Sequence, residues 1–285
     1  MTTTSNHLSL VVDLKNKNVT LESCKQLLVF INLHLCVTDL NSASIHLNNR
    51  IVVDTNEDDG GFNDLSKVFL DAVKDYYDKE AVESTSSPSS SSSSLATTLA
   101  QSLCHINRKI NDQGTDASNT FRILILAASD DVPSHYVSLM NSIFAAQKGK
   151  IVVDVCELYN CNTIFLQQAA HLTGGNYIQA TQTDCLIQYL IMAFLPNHEL
   201  RKHVVQPRSD KVDFRAACFC HKRIVDIAYI CSVCLSIFCH PPQRCSTCDS
   251  PFPARTLAKF GVEGGANGAQ QTHAHAPRNP SRLRE

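Results

Sequence analysis

The chain has 285 residues, 44% of them hydrophobic and 18% charged, with a formal net charge of −2. This composition excludes a disordered or fibrous polypeptide and supplies enough apolar side chains for one large domain and a second, smaller one. Met1–His7 carries no basic run leading into an apolar one, and the most apolar stretch, Leu27–Val37, is too short for a bilayer and is broken by Asn32 and His34, so neither a secretory leader nor a membrane span is expected.

In chain order, His7–Val12 reads as a short buried strand, Cys24–Val37 as a nearly all-apolar helix, and Ala43–Leu47 and Ile51–Val53 as two further strands. Leu65, Val68, Phe69, Ala72, Val73, Tyr76 and Tyr77 recur at the spacing of one helix face. Ser84–Ser94 is almost pure serine around Pro88, has nothing to bury and is expected to be a disordered insertion. Leu95, Leu99, Leu103, Ile106 and Ile110 then line one face of another helix, and Arg122–Ala128 is an apolar strand ending at Ser129-Asp130-Asp131. A helix follows with Val137, Met140, Ile143 and Phe144 inward and Gly149 as its C-cap. Ile151–Val155 is a strand, Phe165–Leu172 a helix stopped by Gly174-Gly175, Tyr177–Ala180 a strand, and Asp184–Leu195 a helix ended by Pro196. Strands that are apolar on both faces and alternate with helices predict a doubly wound, mostly parallel α/β sheet over residues 7–197.

Residues 198–215 are polar and read as a linker, and 216–256 as a cysteine-rich module. Residues 261–285, rich in Gly, Ala, Gln, Pro and Arg, read as a disordered tail in which His273 and His275 are incidental rather than a metal pair. Residues 1–197 hold 12 Lys and Arg against 20 Asp and Glu, whereas 198–285 hold 13 against 7. That asymmetry fits either two units with different partners or a basic surround to an anionic metal site. Of 13 cysteines, seven fall between Cys218 and Cys248, a distribution that suits a reducing compartment better than a disulfide framework.

An open α/β sheet binds ligands beyond the carboxyl ends of its strands, and the loop after the first strand reads Asp13-Leu14-Lys15-Asn16-Lys17. It holds no glycine, so no dinucleotide fingerprint is present, and neither a phosphate loop nor a G-x-S-x-G elbow occurs elsewhere. His105 beside Cys104 suggests a Cys–His dyad, but neighbours on a helix point in different directions, and core packing is the preferred account of Cys104. The order of elements, with Asp13 ending the first strand and Asp130 following the Arg122–Ala128 strand, resembles a von Willebrand A domain. Metal-binding members of that family carry Asp-x-Ser-x-Ser after the first strand. Here Asp13 is kept, while Lys15 and Lys17 stand at the serine positions, and an ammonium there repels a divalent ion. The resemblance therefore implies an A-type scaffold that binds proteins without magnesium, with Asp13 and Asp130 tied into local hydrogen bonds.

The back of the chain runs Cys218-Phe-Cys220-His221, Cys231-Ser-Val-Cys234, Cys239-His240 and Cys245-Ser-Thr-Cys248. Two C-x-x-C knuckles with ten residues between them fit a tetrathiolate zinc site made of Cys231, Cys234, Cys245 and Cys248. Four protein ligands leave no open position, so the ion is structural, and a module of about forty residues has too little core to fold without it. Cys218, Cys220, His221 and Cys239 are candidates for a second, cross-braced RING-like site, although Cys-x-Cys-His is not the usual RING spacing; one zinc or two both remain open. Ile224, Val225, Ile227, Tyr229 and Ile230 are expected to form the strand of the zinc ribbon, with Phe238 and Phe252 beneath the knuckles.

An A-type domain followed by this cysteine string resembles the TFIIH subunit three family. Met140-Asn-Ser-Ile143-Phe144-Ala-Ala-Gln147-Lys148 and Cys231-Ser-Val-Cys234-Leu-Ser-Ile-Phe238-Cys239 strengthen the likeness, which runs from about His7 to Phe260 without the serine insertion and the tail. The resemblance implies a nuclear, non-catalytic structural subunit of the TFIIH core complex, acting in RNA polymerase II transcription initiation and nucleotide excision repair. It further implies that the A-type domain docks onto the larger TFIIH subunit with its own A-type domain and zinc-bearing C-terminus, and that the chain meets nucleic acid only indirectly and no membrane at all. Two alternatives stand beside it. A RING-type ubiquitin ligase needs both zinc sites and an exposed apolar groove. A zinc protein that binds nucleic acid directly is motivated by the basic back half, yet no aromatic–basic alternation supports it.

Overall fold

Every residue of β1 (Asn6–Val12) is buried, and the sheet is built outward from it in both directions. In the computed structural model, which describes residues 5–13, 20–47, 50–55, 62–83, 95–113, 119–130, 135–159, 161, 163–205, 212–221 and 223–259, β1 pairs in parallel with β2 (Ser42–Leu47) and with β4 (Thr120–Ala127). Lys15, Lys17, the serine-rich 84–94, Asp131, residues 206–211 and the 261–285 tail with His273 and His275 lie outside the described residues. β3 (Arg50–Asp54) closes one edge antiparallel to β2, while β5 (Val152–Leu158) and β6 (Tyr177–Ala180) extend the other edge in parallel. The order β3-β2-β1-β4-β5-β6 is doubly wound and reverses between β1 and β4.

The period of two along each strand divides the core into two layers. Leu8, Leu10, Val12, Leu124 and Leu126 pack with Leu27 and Phe30 of α1 (Leu21–Val37) and Phe69 of α2 (Phe62–Glu83). Val11, Ile123, Ile125 and Ala127 pack with α3 (Leu95–Gln113), α4 (Tyr136–Lys148) and α5 (Ile164–Thr173) through Leu99, Ile143 and Leu166. The Thr20 hydroxyl caps α1 by accepting from the Ser23 amide at 3.2 Å. Gly174 ends α5 with a left-handed φ of 74°, and a Cβ on Gly175 would stand 2.0 Å from the Val153 carbonyl oxygen. The glycine pair is therefore required twice over, first by conformation and then by space. Among the described residues no helix is long and apolar enough to cross a membrane.

Several local expectations are corrected. Phe144 is 51% exposed, because the buried stripe of α4 is Leu139, Met140, Ile143 and Ala146, which leaves Phe144 about 100° further round the helix. Val68 of α2 is 44% exposed, beside a buried stripe of Leu65, Phe69 and Val73. Cys104 is exposed rather than packed in the core. Its neighbour His105 is the buried one, placing Nε2 2.8 Å from the Asp54 carboxylate of β3 beside Lys109 Nζ at 2.6 Å. The expected helix 184–195 is a 3-10 turn, then α6 (Leu186–Tyr189), then a π-helical turn at Leu190–Phe194. Buried Arg122 terminates it by donating to the carbonyls of Phe194 at 2.6 Å, Pro196 at 3.0 Å and Leu195 at 3.3 Å. Burial draws that guanidinium down to about 10.

Within the stretch read as a linker, α7 (His198–Arg201) brings Arg201 to Asp154 of β5 as a two-pronged pair at 2.8 and 2.6 Å. Gln168 donates to the carbonyls of Asp213 at 2.7 Å and Arg215 at 3.0 Å. The chain forms two units, residues 1–217 with 222–226, and residues 218–221 with 227–285.

Candidate metal centres

The sheet reverses its order between β1 and β4, and the ends of these strands form its switch point. Asp13 is buried there, accepts a hydrogen bond from the Ser129 hydroxyl, and donates its amide to the Leu126 carbonyl at 3.0 Å. On β5, Glu157 accepts from the hydroxyls of Thr163, at 2.7 Å, and Tyr177, and from the Gln179 amide at 3.0 Å. These carboxylates are thus engaged with hydroxyl and amide donors of their own unit, as strand-end polar groups are.

The cysteine-rich unit is organised differently. The segment expected as one ribbon strand divides: β8 (Ile224–Val225) pairs with β7 (Ala216–Ala217), while β9 (Tyr229–Ile230) pairs with β10 (Ile237–Phe238). The β9–β10 hairpin carries the first knuckle at its tip. There the Cys231 amide donates to the Ser236 carbonyl at 3.0 Å and the Leu235 amide to the Cys231 carbonyl at 3.0 Å. Leu235 has a left-handed φ of 60°. The second knuckle repeats each feature: the Cys245 amide reaches the Ser250 carbonyl at 2.9 Å, the Asp249 amide reaches the Cys245 carbonyl at 2.9 Å, and Asp249 has φ 57°. A serine hydroxyl also lies beside the second cysteine of each knuckle, Ser236 at 3.1 Å from Cys234 Sγ and Ser250 at 3.2 Å from Cys248 Sγ. The signal in the sequence is a repeat that spacing of cysteines alone does not reveal, Cys-Ser-Val-Cys-Leu-Ser against Cys-Ser-Thr-Cys-Asp-Ser.

Phe238 and Phe252 pack edge to face beneath the knuckles with centroids 5.7 Å apart. The four sulfurs of Cys231, Cys234, Cys245 and Cys248 lie within 4.8 Å of one another. Tetrahedral coordination by thiolates at about 2.3 Å implies sulfur–sulfur edges of about 3.8 Å. The observed separations, 3.7 Å for Cys231–Cys248 and 3.4 Å for Cys234–Cys245, lie at or just inside that value. The electrostatics of the quartet are uneven. Burial opposes ionisation of Cys245, but the amides of Cys248 and Thr247 draw it down to about 6. The Ser250 hydroxyl and amide lower Cys248. Ser236 favours the Cys234 thiolate too, yet burial and the neighbouring Cys248 and Cys245 push it up to about 11. Four thiols this close ionise together only around a cation.

A second group gathers Cys218, Cys220, His221 and Cys239, whose ligand atoms also lie within 4.8 Å of one another. Either quartet can hold a metal ion.

Residues 48–249 match the family model described as transcription factor Tfb4. The general transcription and DNA repair factor IIH subunit tfb4 of Schizosaccharomyces pombe is 45% identical over 161 residues, covering 56% of this chain and 52% of the relative. The general transcription factor IIH subunit 3 of Dictyostelium discoideum is 48% identical over 159 residues, covering 56% and 42%. The Kluyveromyces lactis TFB4 subunit is 30% identical over 262 residues, covering 84% and 77%. The chain thus spans about half the length of the first two relatives. The crystal structure of the TFIIH p34 N-terminal domain superposes with a TM-score of 0.53 at 23% identity, covering 67% of this chain and 98% of that one, which supports the α/β fold. The chain belongs to the Tfb4 transcription factor family.

Proposed function

We propose that the chain is a non-catalytic, nuclear scaffold subunit of general transcription and DNA repair factor IIH, acting in transcription initiation and nucleotide excision repair. One observation carries this reading: the family match, residues 48–249, takes in the α/β unit from β3 onward and both cysteine quartets. Its partners are the other core subunits, chiefly the larger one that bears an A-type domain of its own, and nucleic acid is met only through the complex. Exposed apolar side chains of the small unit, Ile227, Ile230, Val233 and Leu235, suit a protein that works by docking.

Cys231, Cys234, Cys245 and Cys248 hold structural zinc in this proposal, since thiolates favour that ion and a complete tetrahedron leaves no position for a substrate. Zinc bound there supplies folding free energy to a unit with a small core. The α/β unit works without magnesium, with the Asp13 carboxylate held by the Ser129 hydroxyl and the Asp13 amide by the Leu126 carbonyl. Affinity purification of the tagged chain from nuclear extract tests the reading. Near-stoichiometric recovery of the TFIIH core subunits is expected; recovery of ubiquitin-conjugating enzymes in their place, or salt-sensitive binding of DNA by the chain alone, would overturn it.

A further inference from the structure

We propose a second structural zinc site, formed by Cys218, Cys220, His221 and Cys239 and interleaved along the chain with the tetrathiolate site. This inference does not depend on the subunit reading.

The Phe219 amide donates to the Ile237 carbonyl at 2.7 Å, which lays residues 218–221 alongside β10, with Cys239 directly after its end at Phe238. The Phe219 ring sits 6.3 Å from Phe238, so the segment is anchored on the small unit's core through its one aromatic residue. Cys218 and Cys220 flank that anchor, and Cys218 is itself buried. Cys220 Sγ lies 3.5 Å and His221 Nδ1 3.2 Å from Cys239 Sγ. A disulfide has its sulfurs about 2.05 Å apart, so the two thiols are not bonded. They stand instead near the edge of about 3.8 Å that zinc–thiolate bonds of about 2.3 Å produce. Three thiolates and one imidazole form a complete set for structural zinc, and the harder ions that prefer oxygen have no donor in it.

The order of ligands gives the site its consequence. Residues 218–221 serve the second site, 231 and 234 the first, 239 the second, and 245 and 248 the first. Each ion therefore spans a segment that the other also encloses, and neither loop can open without straining both sites. The exposed residues Cys220 and His221 have little apolar area to hold them, which is where a coordinate bond adds most. His240 is the natural competitor for the imidazole position, with its Nδ1 3.3 Å from Cys239 Sγ.

The test measures metal content of the full chain purified with zinc under reducing conditions, followed by cobalt substitution. Two zinc ions per chain are expected, falling to one in Cys239→Ser. His221→Cys is expected to keep both ions and to shift the cobalt ligand-field bands to longer wavelength as sulfur replaces nitrogen, which keeps the proposal testable where Cys239→Ser fails to fold. His240→Ala is expected to retain two. One zinc per wild-type chain that survives Cys239→Ser overturns the second site while leaving the tetrathiolate site intact. A Cys220–Cys239 disulfide in the reduced, zinc-loaded protein, an unshifted His221→Cys spectrum, or an ion lost in His240→Ala also overturns the assignment.

Discussion

The α/β unit and the cysteine-rich unit keep their shapes by opposite means. The first buries an apolar layer on each face of its sheet, with Phe30, Phe69, Phe165 and Phe194 fully enclosed. The buried apolar core of the second is Cys231, Phe238, Cys245 and Phe252, half of it cysteine. Burial scales with size, so a large unit can rest on the hydrophobic effect whereas a small one needs bonds to a ligand. The units should accordingly fail under different insults.

The largest difference is expected from metal. On the proposed tetrathiolate site, Cys231→Ser or chelation removes roughly 10 kcal/mol of binding free energy that the small unit uses to fold. Limited proteolysis should cleave residues after 226 while the main calorimetric transition persists; unchanged zinc content and protease resistance in Cys231→Ser would sink the idea. Next comes Arg201→Ala, which takes the paired guanidinium from the Asp154 carboxylate, 1% exposed, and leaves it the Asn176 amide at 2.8 Å. A loss of about 3–5 kcal/mol is expected in denaturant unfolding of the large unit, with zinc content unaffected. Pairing it with Asp154→Asn should recover part of that loss, and a single-variant effect below about 1 kcal/mol would show the pair to be dispensable.

Acid should act on the large unit through its buried imidazoles. Burial lowers His7 to about 3, and His34 and His46 to about 4, from an ordinary 6.5. The unfolded chain therefore binds more protons than the folded one between those values and 6.5. The stabilisation is complete above about 6.5 and drains away as pH falls towards about 4, at about 1.4 kcal/mol per unit of displacement for each group. His46→Gln should flatten that slope, and a slope unchanged by the substitution would point to other groups. The smallest effect is none at all: magnesium should leave the melting temperature of the large unit where it was, and a magnesium-dependent rise would contradict the metal-free reading of Asp13.

What was legible in the sequence was what local periodicity encodes. β4 reads as apolar on both faces because both of its faces are covered, and Gly174-Gly175 reads as a stop because the left-handed turn and the approach to Val153 both need glycine. The knuckle cysteines announce themselves by spacing. Contacts made across the fold were not legible. Nothing near residues 184–195 foretells the π-helical turn, which Arg122 caps from a strand about seventy residues earlier. Nor does the helix pattern of α3 indicate that His105 and Lys109 reach Asp54, or that Ser102 meets Ser9 at 2.7 Å. Cysteine spacing assigns no role to the serines beside Cys234 and Cys248, although both stand in the repeat.

The position of β1 carries a consequence for biosynthesis. It is the middle of the sheet, yet its β4 partner begins at Thr120, well over one hundred residues after β1 starts at Asn6. At about 5–20 residues per second, a ribosome needs between about 5 and about 20 seconds to deliver that partner once β1 has emerged. Throughout that interval β2, β3 and the helices α1 to α3 can gather round β1, but the edge that β4 will fill stays open, and its unpaired amides and carbonyls can recruit a foreign strand. The nascent chain is thus most vulnerable to aggregation at its centre, long before the cysteine-rich unit is made.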